Sequence, residues 1–172
     1  MAYGKHTEED FKDEMKDLVL GIEKEKGCRD FYLESAGQVT DARVKALYEW
    51  LAKAASARIA ALQSVYNVAI ESMAWVAGMD EQIKTVDATV GPAPAFDPSV
   101  GGKPGRAEVT TLRQAIELEK TVASIYFTAA QRSREPNIRT FYRYLAPIEE
   151  SHKQLLESYF DGIMKAAMKK QV

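Results

Sequence analysis

An internal repeat constrains this chain more than any other feature. Laid over itself at a shift of 94 positions (119 minus 25), GIEKEKGCRDFYLESA from Gly21 falls without gaps on AIELEKTVASIYFTAA from Ala115. Ile22 meets Ile116, Glu23 meets Glu117, Glu25 meets Glu119, Lys26 meets Lys120, Tyr32 meets Tyr126 and Ala36 meets Ala130. The register continues with Tyr48 on Tyr142, Leu51 on Leu145, Ala52 on Ala146 and Leu62 on Leu156. Both halves must therefore build the same unit, and each unit can bury its apolar face against the other.

That unit is helical. From Thr7, a suitable N-cap followed by Glu8, Glu9 and Asp10, core-type residues recur at helical spacing through Phe11, Met15, Leu18, Ile22, Glu25, Cys28 and Tyr32 toward Gly37. Asp41 can cap a second helix whose stripe runs Val44, Leu47, Leu51, Arg58 and Leu62, extending to about residue 79. Prolines and glycines crowd residues 87–106, which predicts a crossover loop rather than a helix. A third helix is expected over 110–133, with Thr111 and Gln114 spaced as a capping box, and a fourth over 136–170, opened by Pro136 and kinked near Pro147. The expectation is one all-α domain over 1–172, a four-helix bundle of two hairpins joined by a long crossover.

Charge and composition narrow the function. The formal net charge of -2 leaves no footprint for nucleic acid, and no apolar run approaches the roughly 20 residues that span a bilayer. The first ten residues lack the apolar core of a signal peptide, so a cytoplasmic location is expected. A single cysteine, Cys28, rules out an intrachain disulfide framework or a multi-cysteine metal site.

Several polar residues fall inside the apolar stripes: Glu25, Arg58, Glu119, Glu149 and His152. Residues three apart on a helix share a face, so Glu149 and His152 can offer a carboxylate oxygen and an imidazole nitrogen to one point. With Glu25 seven residues before Tyr32, Glu119 seven before Tyr126, and LAPIEESH from Leu145, the sequence resembles the ferritin-like superfamily of di-iron carboxylate proteins, in its rubrerythrin-like branch. The resemblance implies a ferritin-like bundle, a metal centre acting on peroxide, oxygen or iron(II), a homodimer, and an external electron-donor protein. It also exposes a departure, since LAKAASAR from Leu51 carries Ala55 and Arg58 where the family motif has Glu and His.

A complete family site balances four carboxylates against two divalent ions. Here Glu25, Glu119 and Glu149 bring three negative charges and Arg58 one permanent positive charge, so one divalent ion completes neutrality. We expect Arg58 to take the vacated metal position beside Glu25, and Glu119, Glu149 and His152 to hold one ion, with Glu25 kept as a fourth candidate metal ligand. Two carboxylates and an imidazole suit iron, manganese or zinc, with iron first and a di-iron centre ranked lower. Tyr32 and Tyr126 are expected to flank the site as hydrogen-bond donors. The competing expectation is a metal-free scaffold or dimerisation module in which Arg58 replaces the lost metal.

Overall fold

The computed structural model describes residues 7–75, 77–100 and 103–169, and every regular element among them is an α-helix: α1 (Glu8–Gln38), α2 (Ala42–Ser72), α3 (Met79–Val90), α4 (Arg106–Arg132) and α5 (Pro136–Lys169). Short corners make α1 and α2 one hairpin and α4 and α5 another; the hairpins pack through α1 and α4, while α3 lies against α2 and α5. The described residues form an all-α bundle of five helices rather than four. No helix among the described residues is long and apolar enough to cross a membrane.

The expected starts of α1 and α2 are present. Thr7 and Asp10 form a reciprocal capping box, and the Asp41 side chain accepts from the Arg43 and Val44 amides. Three boundaries differ from the sequence expectation. α2 stops at Ser72, not 79, because Met73 turns left-handed (φ 51°) and its amide bonds the Ala69 carbonyl. The chain then bends so that Trp75, Met79 and Ile83 are buried, which is why the apolar pattern of the sequence continues past Ser72. The crossover, expected over 87–106, is shortened at its start by the last turn of α3.

At the other end α4 begins at Arg106, about a turn early, with Gly105 as a cap that offers no side chain. Thr111 is not a cap; its hydroxyl donates to Ala107 O and accepts from the buried Tyr48 hydroxyl at 2.8 Å. At the close of α1, Gly37 lies within the helix, which leaves through an extended Val39. α5 continues through Pro147, which stands on the exposed side where water can meet the carbonyl left without an amide partner. Lys170, expected to end this helix, lies outside the described residues.

The repeat is visible in how the two corners are held. Glu14 accepts from the amides of Arg134 and Glu135, and Glu108, its counterpart at the same shift, accepts from those of Thr40 (2.6 Å) and Asp41 (2.9 Å). Each hairpin's corner is thus closed by a buried carboxylate from the other hairpin. Burial opposes ionisation of Glu108, but the Asp41 and Thr40 donors hold its carboxyl below the ordinary range. Replacing Glu108 with Ala leaves two inward amides without an acceptor, and we expect a loss of about 1–3 kcal/mol in denaturant unfolding.

The crossover is fastened along the α2–α5 seam. Trp50 and Lys53 donate to the carbonyls of Gly91 and Val90, Arg43 to that of Asp97, and Tyr159 to that of Pro94. Phe96 packs on Tyr159 and under Arg43, over Gly162, where an added Cβ would overlap its ring.

Candidate metal centre

The four long helices deliver all the sequence-derived site residues to one buried place. Glu25 comes from α1, Arg58 from α2, Glu119 from α4, and Glu149 with His152 from α5; all but His152 are at most 2% exposed, and His152 is 6%. Helical spacing does the positioning, since each lies in its helix's inward stripe between apolar neighbours. Glu23 and Glu117 point outward, as the same periodicity requires.

Arg58 divides the site. Its Nε donates to Glu25 Oε1 at 3.1 Å and lies the same distance from Glu149 Oε1, an ion pair without hydrogen-bond alignment because one N–H cannot point at both. Its Nη2 is 3.4 Å from His152 Nδ1. Glu149 is therefore shared, whereas the sequence expectation gave Arg58 to Glu25 alone. Glu25, a candidate metal ligand in the sequence reading, binds Arg58 and accepts from the Tyr126 hydroxyl at 3.0 Å.

On the other side, one ligand-type atom each from Glu119, Glu149 and His152 lies within 4.8 Å of the others. His152 Nδ1 is 3.5 Å from Glu149 Oε2 and 3.8 Å from Glu119 Oε2. Donors bonded at about 2.0–2.2 Å to one ion stand about 3.0–3.5 Å apart, so small side-chain movements bring this triad onto a common centre. Glu119 Oε2 has no hydrogen-bond donor, although Glu119 Oε1 accepts from Tyr32. A buried carboxylate oxygen left this way needs a proton or a cation.

The tyrosines form two related stacks. Tyr32, on Glu119, stacks on Tyr48 with centroids 5.8 Å apart; Tyr126, on Glu25, stacks on Tyr142 at 6.0 Å. Tyr126 reaches Glu25 by passing over Gly21, where an added Cβ would come within 2.9 Å of its ring. Trp50, which the sequence reading missed, packs edge-on against His152 at 5.5 Å. Its signal was available, eight residues before Arg58 on the same helical face. Cys28 is buried nearby, and burial with the surrounding carboxylates pushes its thiol up, which keeps it protonated.

The electrostatics separate the three carboxylates. Burial raises Glu119 well above the ordinary range, and the facing Glu149 carboxylate adds to it. Burial also raises Glu25 to about 8 against the pull of Arg58. For Glu149 burial acts upward too, but Arg58 and His152 outweigh it and hold the group low. Glu119 and Glu149 are close enough to bond each other when one proton lies between them.

A sign follows for pH. Glu25 and Glu119 keep protons in the folded protein that the unfolded chain releases near 4.5, so the stability they contribute is full below that value and is lost as pH rises through the folded value, about 8 for Glu25. Glu149 acts in the opposite sense only in more acidic solution. Metal-free protein should therefore melt at a lower temperature at pH 8 than at pH 5.5, as thermal unfolding in chelator would measure.

Comparison of the chain with protein-family models, with curated proteins and with solved structures gave no match.

Proposed function

We propose that this protein is a ferritin-like, rubrerythrin-like metal-binding protein in which one divalent ion sits at Glu119, Glu149 and His152 and Arg58 stands where the second ion of a complete site would be. The observation that carries the reading is the unpartnered Glu119 Oε2 facing Glu149 and His152 in a buried layer with one permanent cation. Three carboxylates, Arg58 and one divalent ion sum to zero, whereas the metal-free layer needs retained protons to approach neutrality. Iron suits the site first, with manganese and zinc also fitting two oxygens and an imidazole nitrogen. A bound iron or manganese would supply a one-electron couple, and any of the three a Lewis acid.

The chain's own residues then have defined tasks. Tyr32 holds the orientation of Glu119, and Tyr126 with Arg58 holds Glu25 away from the ion. Binding through His152 Nδ1 requires that this nitrogen carry no proton, and the proton on Glu119 must leave, so affinity rises with pH. Reduction of peroxide takes two electrons, so a single ion implies altered or weak oxidoreductase chemistry fed by an external donor protein.

A second reading rests on the same proton. If Glu119 and Glu149 are bridged by a proton rather than by a metal, the layer is a structural core and the protein a scaffold or dimerisation module. Metal content decides between them. Purified without chelator or affinity metal, the protein should carry about one equivalent of divalent metal, and His152→Ala should lose at least about tenfold in affinity. Metal absent from the unaltered protein, and not taken up on titration, would sink the metal reading.

A further inference from the structure

We propose that Trp50 is the gate of the buried centre: its indole closes the way from solvent to His152, and by turning outward it admits small solutes and metal ions. Helix packing shows where that way lies. α1 packs closely on α2, α4 on α5 and α1 on α4, whereas α2 and α5 are not packed in this manner. Side chains fill the seam between them, and α3 and the crossover lie over it.

His152 is the member of the polar layer that faces this seam. Its Nδ1 points inward, to Glu149 Oε2 at 3.5 Å, Glu119 Oε2 at 3.8 Å and Arg58 Nη2 at 3.4 Å. Nε2, on the other edge of the ring, has no hydrogen-bond partner among the described residues. His152 is also the most exposed of the five, so solvent comes nearest the layer here.

Trp50 stands at that point. Half-buried, it meets the imidazole edge-on with centroids 5.5 Å apart, and its Nε1 donates to Gly91 O at 3.2 Å on the outer side of the seam. One side chain thus touches both the centre and its cover. Gly91 is the joint of that cover, where α3 gives way to the crossover at a φ of 81°, a conformation that glycine adopts without strain. On either side the cover is fastened separately, by Lys84 over the Tyr144 ring and by the bonds of Tyr159 and Arg43 to Pro94 and Asp97. Breaking the single bond to Gly91 lets the indole turn out while these ties hold, an opening that does not require the bundle to unfold.

The layer is the one assigned above to a metal, but the gate does not require the ion, so metal-free protein tests it first. Diethyl pyrocarbonate acylates accessible imidazoles, and peptide mass mapping reads its rate at His152. Trp50→Ala should raise that rate about tenfold or more, and Trp50→Phe, which keeps a ring but loses the tie to Gly91, by a smaller factor. Tyr159→Phe removes a comparable tie farther along the seam and should leave the rate within about twofold. In zinc-loaded protein, uptake and release to excess chelator should accelerate together in Trp50→Ala, with affinity within about threefold of the parent's, because a gate alters both rates alike. His152 reacting no faster in Trp50→Ala would overturn the gate. Equal acceleration by Tyr159→Phe would do the same, since it means a general loosening of the seam. Should Trp50→Ala lose its helices by circular dichroism, Trp50→Phe against the parent decides. A parent that takes up no zinc defeats the metal reading alone, and the acylation rates still decide the gate.

Discussion

Arg58→Met should unfold far more readily than the parent protein at neutral pH without metal, by about 3–5 kcal/mol in denaturant titration, the usual cost of stranding buried charge. Methionine fills much of the same volume, so packing alone does not predict a loss of that size. Charge does. Arg58 is the cation lying 3.1 Å from both Glu25 and Glu149, and without it the ionised Glu149 is stranded beside two further carboxyl groups in a layer from which water is excluded. The defect should shrink toward pH 5, where protons can neutralise the layer, and on adding a divalent cation. A variant as stable as the parent under all these conditions would mean that the layer is already neutral and that Arg58 is dispensable.

The second large effect is a change in metal stoichiometry. Ala55 and Arg58 occupy the positions that align with Glu149 and His152 at the 94-residue shift. The double substitution Ala55→Glu, Arg58→His rebuilds the missing Glu-x-x-His in the first half. Ala55 is fully buried, so a glutamate there has room only because histidine vacates part of the space that arginine fills. Elemental analysis should find two divalent ions per chain, against the one expected of the parent protein. Folding should also become metal-dependent, since four buried carboxylates then face no permanent cation. One equivalent or fewer in the double variant, with the bundle intact, would show that Arg58 does not stand in a metal position.

Much of the centre was legible in the sequence because helical periodicity is local. Glu25, Arg58, Glu119, Glu149 and His152 interrupt apolar stripes, and any bundle that buries those stripes must bring the five together. What periodicity could not supply was the partition among them. Whether Arg58 binds Glu25, Glu149 or both depends on side-chain reach across α1, α2 and α5, and the structure gives both. Trp50 and the Glu14–Glu108 pair were overlooked for a different reason. Their partners lie 102, 120 and 68 residues away, so only the helical register of Trp50 with Arg58 gave a local sign, and nothing near Glu14 or Glu108 in the chain announces their use.

The sequence by itself determined the helical content, the duplicated hairpins and the membership of the buried polar layer, because these follow from spacing within single helices and from a repeat read along one line. Only the tertiary structure decided that α2 ends at Met73, that Trp75 turns inward in the link that follows and Met79 and Ile83 belong to an additional helix, and that Thr111 lies within a helix rather than at its start. These outcomes turn on which contacts compete for the same residue. A left-handed turn at Met73 is unfavourable locally, and it is sustained by burying an indole whose N–H meets Glu14 at 2.7 Å across the bundle.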